Sequence, residues 1–212
     1  MSSSPADTAV AVVPLKALSR AKGRLAGHLP ARDRRELVAW MFARVIAACR
    51  GASGVGAVLV VAGDDAAADL ARGLAVPVVV ERKPGLAAAM AAADDATAAA
   101  TASLVVAADL PFAGADDLDL VCRAGRRGPC VVVAPTRDGG TAALLRRPAG
   151  VIVPAYGPSS ATAHLAAAAA AGARGVRLVV PALAFDVDTA EHLRALHPRD
   201  LGATWTDGLS AG

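Results

Sequence analysis

The sequence predicts an α/β fold: one domain with a mostly parallel central sheet and helices on both faces. Two observations lead there. Short apolar runs alternate with stretches of helical periodicity through the first two-thirds of the chain, the pattern of repeated βαβ units. The best-marked run, SLVVAADLP at 103–111, is apolar without alternation and then stops at Asp109, followed closely by Pro111. Continuous apolar character marks a strand buried on both faces, as parallel strands are.

Taken in order, residues 10–13 read as a first strand stopped by Pro14, and a basic loop, LKALSRAKGRL, follows. A helix is predicted from Ala31 to about Arg50, with Leu37, Met41, Val45 and Ile46 on one face. GASGVG at 51–56 stands before a strand at 58–61, so it reads as a helix-to-strand turn; a dinucleotide fingerprint needs strand, glycine loop and helix in that order. Then come a helix at 65–72, a strand at 76–80, a helix opened by Gly85 and running to about Ala99, and the strand ending at Asp109. A helix is predicted at 115–126 and a strand at 131–134, followed by the loop PTRDGGT. Residues 142–145 and 151–153 read as short extended pieces forming an antiparallel edge or a small β-element. YGPSS at 156–160 opens a helix to about Ala173, with His164 read as helix surface. A strand at 176–180 and a helix at 190–196 complete the domain, which spans 9–197 between a disordered start (1–8) and a loose tail (198–212).

The chain of 212 residues is long enough for one well-cored domain. Apolar residues make up 55% and aromatics 3%, so Val, Leu and Ala build the core. A net charge of +3 favours anionic ligands but is too small and scattered to argue for nucleic acid. Cys49, Cys122 and Cys130 form no CxxC pair, which supports neither a zinc site nor a disulfide framework. The start, MSSSPADT, lacks the order of a signal peptide, and no apolar run approaches the ~18 residues that cross a bilayer. A soluble cytoplasmic protein, away from membranes, is the expectation.

Three groups of residues could carry chemistry. Asp109 ends one apolar stretch, and Asp186 and Asp188 in AFDVDT end another. Ligands of open α/β sheets bind beyond the carboxyl ends of strands, and Mg²⁺ takes one or two carboxylates plus substrate phosphates. The alternative is capping: Asp109 for the helix after Pro111, Asp188 or Thr189 for the helix at Ala190. Lys16, Lys22 and Arg24 in the first basic loop could clamp a triphosphate or could line a solvated helix face. In DGGTAALL and YGPSSATAH, glycines let backbone approach a ligand, and Ser159 and Ser160 begin a helix that is either an anion site or ordinarily capped. No Ser-His-Asp or Cys-His constellation can be argued, and the four histidines show no metal spacing. A nucleophile that is already an ionised phosphate oxygen needs no general base, only positioning and charge neutralisation.

In one order the chain carries VVPLKALSRAKGRL, Glu81 with the Gly85–Leu86 pair, AADLP, GGTAALL, YGPSS with a following His, and FDVDT. Over roughly 10–196 this resembles the CofC/FbiD guanylyltransferases of deazaflavin coenzyme F-420 biosynthesis. The resemblance implies a single-domain, Rossmann-like nucleotidyltransferase fold of the GT-A kind and transfer of GMP from GTP to a phosphorylated three-carbon acid. That acid is phosphoenolpyruvate, 2-phospho-L-lactate or 3-phospho-D-glycerate; the Ser pair after Gly-Pro points to phosphoenolpyruvate. It implies Asp109, Asp186 and Asp188 as Mg²⁺ ligands, Glu81 and Gly85 among the nucleotide-binding residues, and Thr141, Gly157 and Ser160 around the acid. Where many relatives have Asn, Arg and Phe, this chain has Ala142, Ala163 and Tyr156. The product would be an unstable phosphoanhydride, so a transient hand-off to the downstream F-420 transferase is implied; the oligomeric state stays open. Two other readings stand beside it: a glycosyltransferase using Asp186-Val187-Asp188 as a DxD motif, and a nucleotide-binding relative without turnover.

Overall fold

The computed structural model describes residues 8–20, 22–81 and 85–196, so the predicted tail, and the predicted disordered start apart from Thr8, lie outside the described residues. Seven strands form one sheet in the order β3-β2-β1-β4-β6-β5-β7. They are β1 (Ala9–Leu15), β2 (Val55–Ala62), β3 (Val78–Val80), β4 (Ser103–Val106), β5 (Cys130–Pro135), β6 (Thr141–Arg147) and β7 (Arg174–Arg177). Only β6 runs antiparallel to its neighbours. The helices are α1 (Ala31–Gly51), α2 (Asp65–Gly73), α3 (Leu86–Thr97), α4 (Ala115–Ala124), α5 (Ser160–Ala170) and α6 (Ala190–Ala195).

Two hydrophobic clusters divide the sheet's faces. On one, Ala11, Val13 and Leu15 of β1 meet Phe42 and Ile46 of α1, Ala68 of α2 and Leu118 of α4. On the other, Val12, Val61 and Val105 meet Met90 of α3 and Ala161 and Ala168 of α5. Successive residues of a strand point to opposite faces, which is why each central strand needs apolar residues at every position. The first crossovers move outward from β1 to β3 with α1 and α2 on one face. The third returns past β1 to β4 with α3 on the other. The order therefore reverses between β1 and β4, and the crevice beyond their carboxyl ends is where an open α/β sheet binds its ligand.

Several expected elements change. β1 does not stop at Pro14 but runs through it to Leu15. The N–H of Val10 donates to Ala102 on the β4 side, so by alternation Pro14's missing N–H faces that side too. β4 pairs only as far as Val12, so no ladder bond is lost there. The extended piece after Gly140 is no edge: β6 lies between β4 and β5. A short hairpin sets its direction, with Asp138 accepting from Gly140 N–H at 3.1 Å and Gly139 at φ 85°, a left-handed value that suits glycine. Residues 151–153 form a bend rather than a strand. β7 begins earlier than predicted, at Arg174, and ends earlier too, at Arg177, with Val179 beyond it exposed.

The GASGVG segment is the helix-to-strand turn expected: α1 ends at Gly51 and β2 begins at Val55. Asp119 of α4 fixes it by accepting from Gly54 N–H and the Ser53 hydroxyl, each at 2.8 Å. At the other end of β2, Gly63 lets the chain pass under the basic loop; a Cβ there would lie 2.8 Å from the backbone nitrogen of Ala17.

Candidate active site

Three segments bring side chains to the crevice between β1 and β4. The first is the basic loop after β1, which makes two 3₁₀ turns, Leu18–Arg20 and Gly23–Leu25. Lys22 precedes the second with φ 46°, a left-handed conformation costly for a residue with a Cβ. Its side chain explains why it is held there: Nζ donates to Asp109 at 2.5 Å and to Asp188 at 2.8 Å, and is only 8% exposed. The second segment follows β4, where the carbonyl of Pro111 accepts from Arg44 of α1 at 2.6 Å and fixes the turn that presents Asp109. The third is FDVDT. Phe185 and Val187 are buried while Asp186 and Asp188 between and after them face the crevice, so an extended backbone sets both carboxylates on one side. Phe185 is anchored by Phe112, His192 and the Arg137 guanidinium at ring distances of 5.3–5.5 Å.

Asp109, Asp186 and Asp188 each offer an oxygen within 4.8 Å of the others. Capping does not occupy these aspartates: of the candidates for α6 it is Thr189 that serves, accepting from His192 N–H, and α4 is closed by Asp117, which accepts from Gly114 N–H, rather than by Asp109. Positive charge reaches the cluster unevenly: Lys22 pairs with Asp109 and Asp188, and Arg24 lies 3.6 Å from Asp188. Burial, then the neighbouring Asp109 and Asp188, push the Asp186 carboxyl above its usual range. Burial acts the same way on Asp188, but Lys22, Arg24 and Lys16 outweigh it and hold that carboxyl low. For Lys22 the opposing effects are burial, which lowers its pKa, and the two carboxylates, which win and raise it. Three hard oxygens around one point, with a lysine ammonium already bridging two of them, are a donor set that fits a hard divalent cation.

A cavity of about 390 Å³ opens here, lined among others by Lys16, Lys22, Arg24, Asp109, Thr141, Tyr156 and Asp188. Thr141 is the first residue of β6 and bonds to Ser160 at 2.9 Å. Ser160, the first residue of α5, thus turns toward Thr141; Ser159, one residue earlier, makes no side-chain cap. Gly157 has φ 147°, a value few residues other than glycine adopt. The Glu81 carboxylate accepts from Gly85 N–H at 3.2 Å, and neither residue lines the cavity.

His164 corrects the sequence expectation of a helix-surface histidine. It is fully buried, its Nδ1 lies 3.1 Å from the Thr141 hydroxyl, and its Nε2 accepts from Ala155 N–H at 2.9 Å. Burial, then the charge of Arg146, push its pKa down to about 4. Between 6.5 and 4 the unfolded chain binds a proton there that the folded chain refuses. The stability His164 lends is therefore complete above 6.5 and lost as pH falls, by roughly 1.4 kcal/mol per pH unit. Urea unfolding at pH 7.5 and 5 should show a smaller acid loss in His164→Gln than in the parent; equal losses would refute this.

A family model described as "Guanylyl transferase CofC like" matches residues 9–200. The chain belongs to this family. The CofC-like chain is 39% identical over 190 residues to a phosphoenolpyruvate guanylyltransferase of Nocardia farcinica, covering 86% of this chain and 82% of that one. It is 39% identical over 192 residues to the enzyme of the same name from Rubrobacter xylanophilus, covering 88% and 92%. Among solved structures, a putative nucleotide-diphospho-sugar transferase from Desulfovibrio desulfuricans shares the fold with a TM-score of 0.72 at 12% identity, over 92% of this chain and 89% of that one. A 4-diphosphocytidyl-2C-methyl-D-erythritol synthase does so at 0.59 and 13%, over 89% and 95%. The CofC-like protein is thus a guanylyltransferase on a nucleotidyltransferase fold, and among its described residues no helix is long and apolar enough to cross a membrane.

Proposed function

We propose that the protein moves GMP from GTP to phosphoenolpyruvate, releasing pyrophosphate, as a cytoplasmic step in making the deazaflavin coenzyme F-420. The observation that most supports this is convergence: Asp109 and Asp188, basic side chains and Thr141 line one cavity, with Asp186 clustered beside the two carboxylates. Relatives named for this activity support the choice of acid.

In this reading Lys16 and Arg24 take the outer phosphates of GTP, and Glu81 and Gly85 belong to the nucleotide's side of the site. Lys22 fixes Asp109 and Asp188 and adds charge beneath the phosphates. Asp109, Asp186 and Asp188 would hold Mg²⁺, which when bound supplies charge neutralisation at the transferring and departing phosphates. Thr141, Gly157 and Ser160 hold the acid so that an ionised oxygen of its phosphate faces the α-phosphorus. A bond forms between that oxygen and the α-phosphorus as the α–β bridge breaks, and pyrophosphate leaves with the bonding electrons. No proton has to move, so the step needs no general base.

The test is incubation with GTP, Mg²⁺ and each of the three acids in turn, with pyrophosphate as readout. The labile product is captured by the downstream transferase. Phosphoenolpyruvate should react best, and removing Mg²⁺ with a chelator should abolish the reaction. A preference for 2-phospho-L-lactate would overturn the choice of acid. GTP binding without pyrophosphate release on any acid would overturn turnover itself.

A further inference from the structure

We propose that His164 is a positioning residue that keeps the Thr141–Ser160 hydroxyl pair a net hydrogen-bond donor toward the anionic acid. This rests on the reading that Thr141 and Ser160 contact that acid.

The argument is one of proton counting. Ala155 N–H can only donate, and it lies 2.9 Å from Nε2, so Nε2 must be the unprotonated nitrogen. A neutral imidazole has one N–H, which therefore sits on Nδ1 and points at the Thr141 oxygen 3.1 Å away. The ring is fixed in this orientation by full burial and by Tyr156, which meets it edge-on at 5.1 Å. Its depressed pKa agrees with the neutral form. Thr141 and Ser160 together carry two hydroxyl protons and spend one on the 2.9 Å bond between them. With Ser160 as the internal donor, the proton left over is that of Thr141, which lines the cavity. Had the imidazole carried its proton on Nε2, Nδ1 would accept from Thr141 and the pair would have none to give. The tautomer, set by one backbone N–H, thus decides whether the pair attracts or repels a carboxylate or phosphate oxygen.

Two substitutions separate the ring's nitrogens. His164→Asn keeps an amide donor near Nδ1, whereas His164→Gln keeps an acceptor near Nε2 and loses that donor. We expect the Gln variant to raise KM for phosphoenolpyruvate about tenfold, the worth of one aligned hydrogen bond, with KM for GTP unchanged. The Asn variant should stay much closer to the parent, and neither should add to the effect of Thr141→Val. Equal effects of Asn and Gln, a matching change in KM for GTP, or full additivity with Thr141→Val would reduce His164 to a structural role and overturn the inference. A measurement on the unaltered protein guards against misfolded variants. The ¹⁵N resonances of His164 at pH 7 should show a protonated Nδ1 and a bare Nε2; the opposite tautomer or an imidazolium would refute the proposal. If the parent protein transfers GMP to none of the acids, the functional reading fails. If it does transfer while Gln leaves KM intact, only the role of His164 fails.

Discussion

Asp109→Asn should lower kcat for pyrophosphate release by about a hundredfold or more, the scale seen when one charge-stabilising group is removed from a transition state. Fold and GTP affinity should change far less. The substitution keeps an oxygen where Lys22 now donates at 2.5 Å, and Lys22 retains its 2.8 Å bond to Asp188. It also relieves Asp186, whose carboxyl is pushed up by burial and then by Asp109 and Asp188. Thermal unfolding should accordingly show the variant no less stable than the parent by more than about 1 kcal/mol, because one carboxylate of a crowded set is neutralised. A site built for catalysis stores this opposition between charge repulsion and function, so activity should fall far more than stability. Near-full activity in Asp109→Asn would refute the assignment of the cluster to the chemistry. A variant that loses activity only because it unfolds would instead refute the separation argued here.

What the sequence made legible follows from where its strands lie. Buried parallel strands are almost wholly apolar, so Asp109 stood out as the first charge after the run that contains β4, while Asp186 and Asp188 stood out as charges in an otherwise apolar segment beyond β7. The fold brings the carboxylates of both segments within 4.8 Å of one another. The alternation of Phe185 and Val187 with the two aspartates was readable for the same reason. What stayed hidden depends on partners far along the chain. β6, TAALLRR, ends in two arginines and reads as an exposed edge, yet Arg146 is fully buried because Asp94 of α3 meets it. The Asp138-Gly139-Gly140 turn, read for ligand approach, was also the hairpin signal that folds β6 back between β4 and β5. His164 was illegible because α5 is nearly all alanine. Ala161, His164 and Ala168 share the buried face at helical spacing, but no contrast in hydropathy marks that face out.

The buried arginine carries the largest stability effect. Arg146 donates to Asp94 at 2.5 Å and to the carbonyl of Ile152 at 3.0 Å, and its Nε has no partner among the described residues. Asp94→Ala would leave a guanidinium in the core with one hydrogen bond and no counter-charge. Removing one partner of a buried ion pair costs about 3–5 kcal/mol; because the Asp94 side chain is 29% exposed and water can partly replace it, about 3 kcal/mol is expected. Urea unfolding measures this directly. Asp94→Asn, which keeps an acceptor, should lose less than half as much. Adding Arg146→Met to Asp94→Ala should recover most of the loss, since an apolar side chain of similar length suits the space and leaves no charge to compensate. Additive losses in that double variant would mean that packing, not charge, sets the worth of this pair. The same change should reach the active site. The charge of Arg146 already helps push down the pKa of His164, and without Asp94 that push strengthens. In Asp94→Ala the His164 imidazole should therefore stay neutral to still lower pH, which the ¹⁵N resonances of its ring would report.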